Sequence, residues 1–444
     1  MNFDILRYLA DHAGKIFIET HDLSLTYRQS LHIVKYLAAE LTRRGLFGQK
    51  ILLSVPHTHK SHLLFLAVLH TNNVILVHPD HNRSFLQHII REAGVDSVIC
   101  DQALESTVPC ILMHDLLGAL YWPAIPDSDW NQWYPGRLSL LSSGTTGTPK
   151  SIDIDYQRIM PYGNLLLDWL PLQEQDRLYF ITPFYHGFGL TRLFSVLQSG
   201  SAMFVPSSQI VKDMIADINR RRCTWTSLVP RMVRIAAKSG MKLWEGFRFT
   251  TCSAAPVSAD LLSQFSAVTS KPIYVEYGCT EASIISSNTP AHDRPGSLGR
   301  IDPARCEIRQ GSIWVRPGFD AGAAWLDTGD IGWIDDDGFL WLQGRAKEVI
   351  KRNGRTVFPF EIECALQDAS GLVEVVAYSR NAMTDHEDIG LVYVGDLNSD
   401  QMMMLCRQRL PMTCQPSRIT KVPFLPLHCG KIRRSELEQY VDAL

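Results

Sequence analysis

The chain has 444 residues, 45% of them hydrophobic and 20% charged, an ordinary soluble globular composition with room for two or more domains. A formal net charge of -3 gives no electrostatic case for a nucleic-acid partner. The basic run Arg220-Arg221-Arg222 is short and reads as a solvated helix end. The opening MNFDILRYLADHAGK has neither the apolar stretch nor the cleavage site of a secretory leader. No apolar run reaches the roughly 18 residues that a membrane span needs. Ten cysteines are scattered without CxxC spacing, as buried or incidental thiols in a reducing compartment would be. A cytoplasmic location without membrane contact is therefore expected. His57, His59 and His62 cluster in HTHKSH, but that spacing does not put all three on one helical face, and no zinc pattern accompanies them.

In chain order, LHIVKYLAAELTRRG at 31–45 has apolar positions at helical spacing and ends on Gly45, which suits a C-cap. KILLSVP then reads as a buried strand, followed by a helix to about His70 and a second strand in NVILVHP. SFLQHIIREAGVDSVICD supplies a further helix and strand. The alternation resumes in YFITPF, SAMFVP, CTWTSLVP and KPIYVEYG. It predicts an α/β fold with a mainly parallel sheet. Near residue 300 the texture changes to short, often alternating strands with Gly and Asp turns, a β-rich subdomain. Asp337-Gly338 between two apolar runs marks a hairpin. The last hundred or so residues hold two helical segments, EIECALQDA and DQMMMLCRQRL, and a strand, EVVAYSR, which suit a small α+β domain. No internal repeat or low-complexity linker is present.

The most informative stretch is LSLLSSGTTGTPK, from Leu138 to Lys150. An apolar strand runs into a series of small hydroxylated and glycine residues closed by Pro149 and Lys150. Glycines let backbone N–H groups approach an anion, while the hydroxyls and the lysine add donors, so this is a phosphate-cradling composition. It is not the GxxxxGK[ST] loop of P-loop NTPases, because the spacing fails.

SSGTTGTPK resembles the phosphate loop of the adenylate-forming superfamily, which includes acyl-CoA synthetases, peptide-synthetase adenylation domains and beetle luciferases. Four further matches follow in the family's order: TPFYHGFGL at 182–190, YGCTE at 277–281, the stretch from Asp327 to Glu363, and GKIRR at 430–434. The resemblance implies a large N-terminal α/β domain over 1–344 and a small, mobile α+β C-terminal domain over 345–444. It also implies a set of roles. Ser142, Ser143, Gly144, Thr145, Thr146, Gly147 and Lys150 would hold the β- and γ-phosphates of ATP. His186 would stand beside the acyl pocket, together with Phe188, Arg192, Ser253 and Ala254. Tyr277 would stack on adenine next to Gly278, and the Thr280 hydroxyl would contact the α-phosphate. Glu281, with Thr146, would hold Mg²⁺, which prefers a few carboxylate and phosphate oxygens. Asp330 would bind the ribose hydroxyls and Arg345 the nucleotide, while Lys347 would be the hinge. Lys431 would bridge the attacking carboxylate and the α-phosphate, a task that suits its compact charge.

The activity implied is ATP-dependent activation of a small carboxylic acid to acyl-AMP. Transfer to a pantetheine thiol follows, on CoA or on an acyl carrier protein. The chain is short for the family, with trimmed stretches before the phosphate loop and between YGCTE and LDTGD, and LPLHCGK lacks the usual Ser/Thr spacer. Arg192 stands where relatives carry a small or apolar pocket residue. Either a polar or anionic substrate tail explains it, or the arginine points outward or pairs with a nearby acid. Ser253, at a common glycine position, would narrow the pocket and add a hydroxyl. Compact aromatic or polar-tailed acids are thus expected over long fatty acids. No acidic residue lies in 183–191 for a substrate ammonium, which disfavours α-amino acids. Still open are a ligase for medium-chain aliphatic acids, a non-catalytic AMP-binding homologue and a luciferase-like oxygenase. A kinase or P-loop ATPase is disfavoured by the loop spacing.

Overall fold

The fold is given by a computed structural model, which describes residues 5–77, 83–117, 134–142, 150–170, 172–207, 213–318, 322–352, 355–367, 369–382, 387–428, 431–432 and 434–444. The chain divides into two compact units. One comprises Met1–Ala254, Phe265–Asp293 and Arg316–Ala323; the other comprises Ala255–Gln264, Arg294–Val315 and Ala324–Leu444.

The first unit contains two sheets of the mainly parallel kind that the strand–helix alternation predicts. The six-stranded sheet has the order Cys110–Leu112, Ser97–Cys100, Lys50–Ser54, Asn73–Leu76, Arg137–Ser142, Lys150–Asp155. All its neighbours are parallel except the last pair. The eight-stranded sheet runs Ser283–Ser287, Ile273–Cys279, Phe249–Cys252, Trp225–Leu228, Arg177–Tyr179, Ala202–Phe204, Ile16–Glu19, Ser24–Thr26. Its interior is parallel and each edge pair is antiparallel. Parallel strands need helical crossovers, and these cover the sheets with apolar side chains. Helix His59–Thr71 is buried from Ser61 to Thr71, so its sequence carries almost no polar face. Full burial of each Leu, Ile or Phe contributes roughly 1.5–3 kcal/mol, and one large cluster joins residues from Ile5 to Ile284.

Local chemistry explains where the helices start and stop. Helix Tyr27–Arg43 begins earlier than its apolar periodicity suggests, because Thr26 and Gln29 form a capping box. Its end is marked by Gly45 at φ 77°. The basic run caps helix Met214–Arg221, with Arg220 paired to Asp217 on the same helix.

In the second unit, Cys306–Arg309, Ser312–Val315, Leu326–Ile334 and Leu340–Arg345 form an antiparallel sheet, the β-rich element. Its last hairpin turns at Gly338, φ 82°, where the Gly338 N–H donates to the Asp335 carbonyl at 2.9 Å. Beyond it, two apolar clusters lie within residues 350–441. They are built on the three-stranded sheet Leu372–Arg380, Asp388–Gly395, Arg418–Lys421 and on helices Pro359–Leu366 and Ser399–Arg409. No helix among the described residues is long and apolar enough to cross a membrane.

Candidate active site

In open α/β sheets, ligands bind beyond the carboxyl ends of the strands, and in the first unit the motifs fall at or just after the ends of strands Arg137–Ser142, Phe249–Cys252 and Ile273–Cys279 and beyond Arg177–Tyr179. Arg137–Ser142 and Lys150–Asp155 pair in antiparallel register up to Ser142 opposite Lys150. The phosphate-cradling segment expected from the sequence thus falls in the chain between these two paired strands. Ser143, Gly144, Thr145, Thr146 and Gly147 lie outside the described residues, as do the side chains of Ser142 and Lys150.

His186 is the N-cap of helix Gly187–Ser199, half-buried, with its ring edge-on to Tyr185 at 5.1 Å. The glycines that flank Phe188 are dictated by close approach. A Cβ on Gly189 would lie 2.0 Å from the Pro183 carbonyl oxygen, and one on Gly187 would lie 2.5 Å from the Tyr162 hydroxyl. Phe188 itself is half-buried, with the Arg192 guanidinium 4.0 Å from its ring centre.

The structure decides between the alternatives for Arg192. It has no exposed surface, and its Nη2 donates to both carboxylate oxygens of Glu276, at 2.6 and 2.5 Å. Nε donates to Ser227 Oγ at 2.7 Å, Nη1 to Thr191 Oγ1 at 2.8 Å and Nη2 also to Thr251 Oγ1 at 2.9 Å. The arginine is thus paired with a buried acid, and its charge needs no substrate anion. Glu276 immediately precedes Tyr277, and its carbonyl accepts a 2.8 Å hydrogen bond from Ser253 Oγ, so that hydroxyl ties two strand ends together. Ala254, which follows, is exposed and holds φ 74°, a conformation costly for a residue with a Cβ.

Tyr277 is buried, and Thr280 and Glu281 are half-buried just beyond strand Ile273–Cys279. Gly278 is required sterically, since a Cβ there would lie 2.2 Å from the Ser283 carbonyl oxygen. Burial pushes the Cys279 thiol up, and the adjacent Glu281 carboxylate pushes it the same way. The pair expected from the sequence, Glu281 and Thr146, fits Mg²⁺ by its chemistry: a carboxylate and a hydroxyl are hard oxygens, the kind this ion takes together with phosphate oxygens and waters. No cluster of three or more His, Cys, Asp or Glu occurs among the described residues that would suit a softer or fully protein-held metal.

In the second unit, Asp330 and Arg345 stand opposite each other on neighbouring strands, with Arg345 Nε 2.9 Å from Asp330 Oδ1. Two residues expected at the nucleotide are thus brought together. Gly344, just before Arg345, packs tightly, since a Cβ would lie 2.6 Å from the Phe358 ring. Lys347 is exposed in the short 3₁₀ turn Ala346–Glu348. Lys431 lies on a two-stranded ribbon opposite His428, and its side chain is outside the described residues.

Sequence reasoning assigned no role to Arg434. Its guanidinium bonds Glu348 at 2.9 Å, both Glu363 oxygens and the Ala377 carbonyl at 2.7 Å, tying the Lys431 ribbon to the turn that holds Lys347. Both acids sit inside the longest motif match, but nothing in their spacing points to an arginine far along the chain. Glu276 was missed for the same reason.

Residues 7–310 match the family described as AMP-binding enzyme, more than half of the chain. The chain belongs to the AMP-binding enzyme family. This AMP-binding enzyme is similar to the oxalate–CoA ligase of Arabidopsis thaliana, 26% identical over 348 residues, 69% of this chain and 67% of the ligase. It is similar to the 2-succinylbenzoate–CoA ligase of Lactococcus lactis, 25% identical over 87% of this chain and 89% of that protein. Its fold matches the O-succinylbenzoate coenzyme A synthetase of Bacillus subtilis, solved with ATP and magnesium, at TM-score 0.82 and 20% identity, over 97% of this chain and 99% of that one. At such identity the match shows the fold alone, a mixed α/β architecture shared with that synthetase and with the anthranilate CoA ligase AuaEII.

Proposed function

We propose that this chain is an AMP-forming acid–thiol ligase acting in two half-reactions. In the first, a carboxylate oxygen of the acid attacks the α-phosphorus of ATP, forming acyl-AMP and releasing pyrophosphate. In the second, a pantetheine thiol attacks the acyl carbonyl, forming the thioester and releasing AMP. The observation that carries this reading is the family match over residues 7–310, a span that contains the phosphate loop, His186 and the YGCTE strand end.

Positioning and charge stabilisation supply most of the catalysis in such phosphoryl chemistry. Ser142, Ser143, Gly144, Thr145, Thr146, Gly147 and Lys150 hold the β- and γ-phosphates. Tyr277 and Gly278 face the adenine, Thr280 the α-phosphate, and Asp330 and Arg345 the ribose and nucleotide. Glu281 and Thr146 would hold Mg²⁺, which, when bound, neutralises charge on the phosphates. His186, Phe188, Ser253 and Ala254 wall the acyl pocket, while Arg192 braces that wall from beneath. Lys431 stabilises the negative charge that builds on the α-phosphate during attack. A boundary at 344/345 separates the large domain from a small one that turns about Lys347, withdrawing Lys431 so that the thiol can enter.

The acid is compact and aromatic, or carries a polar tail. Two of the relatives are named for oxalate and 2-succinylbenzoate, both dicarboxylates. CoA is the acceptor we favour, since the relatives are CoA ligases, and a carrier protein's phosphopantetheine presents the same thiol. Free cysteines spread through both units suit a reducing cytoplasm.

Pyrophosphate release is to be measured across benzoates, short dicarboxylates, succinylbenzoate-type acids and medium-chain aliphatic acids, then repeated with CoA and with a pantetheinylated carrier protein. Release with an aromatic or dicarboxylic acid is expected; its absence with every acid favours a non-catalytic AMP-binding protein. Lys431→Ala is expected to lower acyl-AMP formation by about a hundredfold or more while sparing thioester formation from supplied acyl-AMP. Equal loss of both steps refutes the role of Lys431.

A further inference from the structure

No role at the nucleotide is assigned to the HTHKSH motif, yet two of its imidazoles, His57 and His62, are deeply buried. His57 lies between strand Lys50–Ser54 and helix His59–Thr71, and its Nε2 is 2.9 Å from the Phe180 carbonyl oxygen. A carbonyl only accepts, so Nε2 carries the hydrogen and Nδ1 of the neutral ring is the acceptor. That Nδ1 lies 3.3 Å from the Phe184 backbone N–H and 3.3 Å from His62 Nε2. His62 must then donate through Nε2, which leaves its buried Nδ1 without a hydrogen-bond partner.

The two rings are locked among aromatics. His62 stacks on Phe180 at 5.1 Å and stands edge-on to Phe184 at 4.9 Å, while His57 stands edge-on to Phe180 at 4.8 Å. Burial pushes His57 down to about 4 and holds His62 well below the usual imidazole range, so both are neutral near pH 7. For packing alone, two imidazoles with an orphaned nitrogen are a costly filling compared with Leu or Phe. Such an exception calls for a role.

The peptide groups that His57 grips bracket the segment leading into His186. Phe180 follows strand Arg177–Tyr179, Phe184 is two residues before His186, and the His186 carbonyl starts helix Gly187–Ser199 by accepting from Leu190 N–H at 2.9 Å. We infer that His57, backed by His62, is a positioning residue for acid activation, clamping the Phe180 and Phe184 peptide groups and so setting where the His186 ring stands. This rests on the reading of His186 as an acyl-pocket residue.

The test is steady-state pyrophosphate release by the full-length enzyme, with separate KM values for acid and ATP. His57→Phe keeps the ring and removes both bonds. It is expected to cut kcat/KM for the acid by about tenfold or more while the KM for ATP stays within about twofold. His57→Gln retains a donor for the Phe180 carbonyl and should recover part of the loss, a rescue that general destabilisation would not produce. An unchanged acid kcat/KM in His57→Phe, alongside a damaged His186→Ala, overturns the inference alone. Unchanged kinetics in His186→Ala overturns the reading of His186 and the inference with it. If His57→Phe does not fold, His57→Gln decides: a selective loss in acid kcat/KM supports the clamp, and wild-type values refute it.

Discussion

Arg192 shows how a charge can be buried in this protein. Its guanidinium meets a carboxylate, three hydroxyls and the face of Phe188, with no exposed surface left. A buried ion pair is at best modestly stabilising as a whole, but removing one member leaves the other charged and dry. Arg192→Met is therefore expected to destabilise the protein by about 3–5 kcal/mol in denaturant unfolding. Adding Glu276→Met should recover part of that, and additive losses would refute the coupling. The arginine's oddity was plain in the sequence, but its partner was not, because Glu276 lies 84 residues further on. Only the packing of helix Gly187–Ser199 against strand Ile273–Cys279 brings the two within reach.

At the scale of elements, the glycines show how much of the site is backbone packing. Helix Gly187–Ser199 can start where it does because Gly189 lets the chain touch the Pro183 carbonyl. Gly189→Ala is expected to lower both the melting temperature and acid activation, since the added methyl pushes the helix off the segment that carries His186. Gly14→Ala is the control: nothing lies within 4 Å of a Cβ there, and it should match wild type in both measurements. Helix and strand positions were legible from periodicity, and the Gly45 cap and the Gly338 hairpin from turn chemistry. Less legible were ends set by side-chain bonds, such as the Thr26 capping box that starts its helix early. The extent of short strands was also hidden: YFITPF gives strand only through Tyr179, because pairing partners decide where a strand ends.

At the scale of the molecule, the chemistry needs one protein to serve two half-reactions. The motifs proposed for phosphate and acid fall in the first compact unit, and those proposed for ribose, hinge and catalytic lysine fall in the second. Arg434 gives the proposed small domain internal rigidity by joining the Lys431 ribbon, Glu348 beside the hinge position and helix Pro359–Leu366 through Glu363. A rigid body turning at one point concentrates the backbone change there. Lys347→Pro, which fixes φ at that point, is expected to slow thioester formation by about tenfold or more while pyrophosphate release without CoA persists. Equal slowing of both steps, measured by single turnover, refutes a hinge at Lys347.

The linear order of residues by itself determined the fold class, the family and the reaction class. These depend on local periodicity and on short motifs whose chemistry is contained within a few neighbouring positions. Tertiary structure alone decided that Arg192 pairs with Glu276, that Ser253 spends its hydroxyl on the Glu276 carbonyl, that Asp330 meets Arg345, and that His57 grips the approach to His186. Each of these joins groups from separate strands or segments. Which of many possible polar groups become neighbours is set by sheet order and register, and a burial cost that every buried donor must recover then selects the partner.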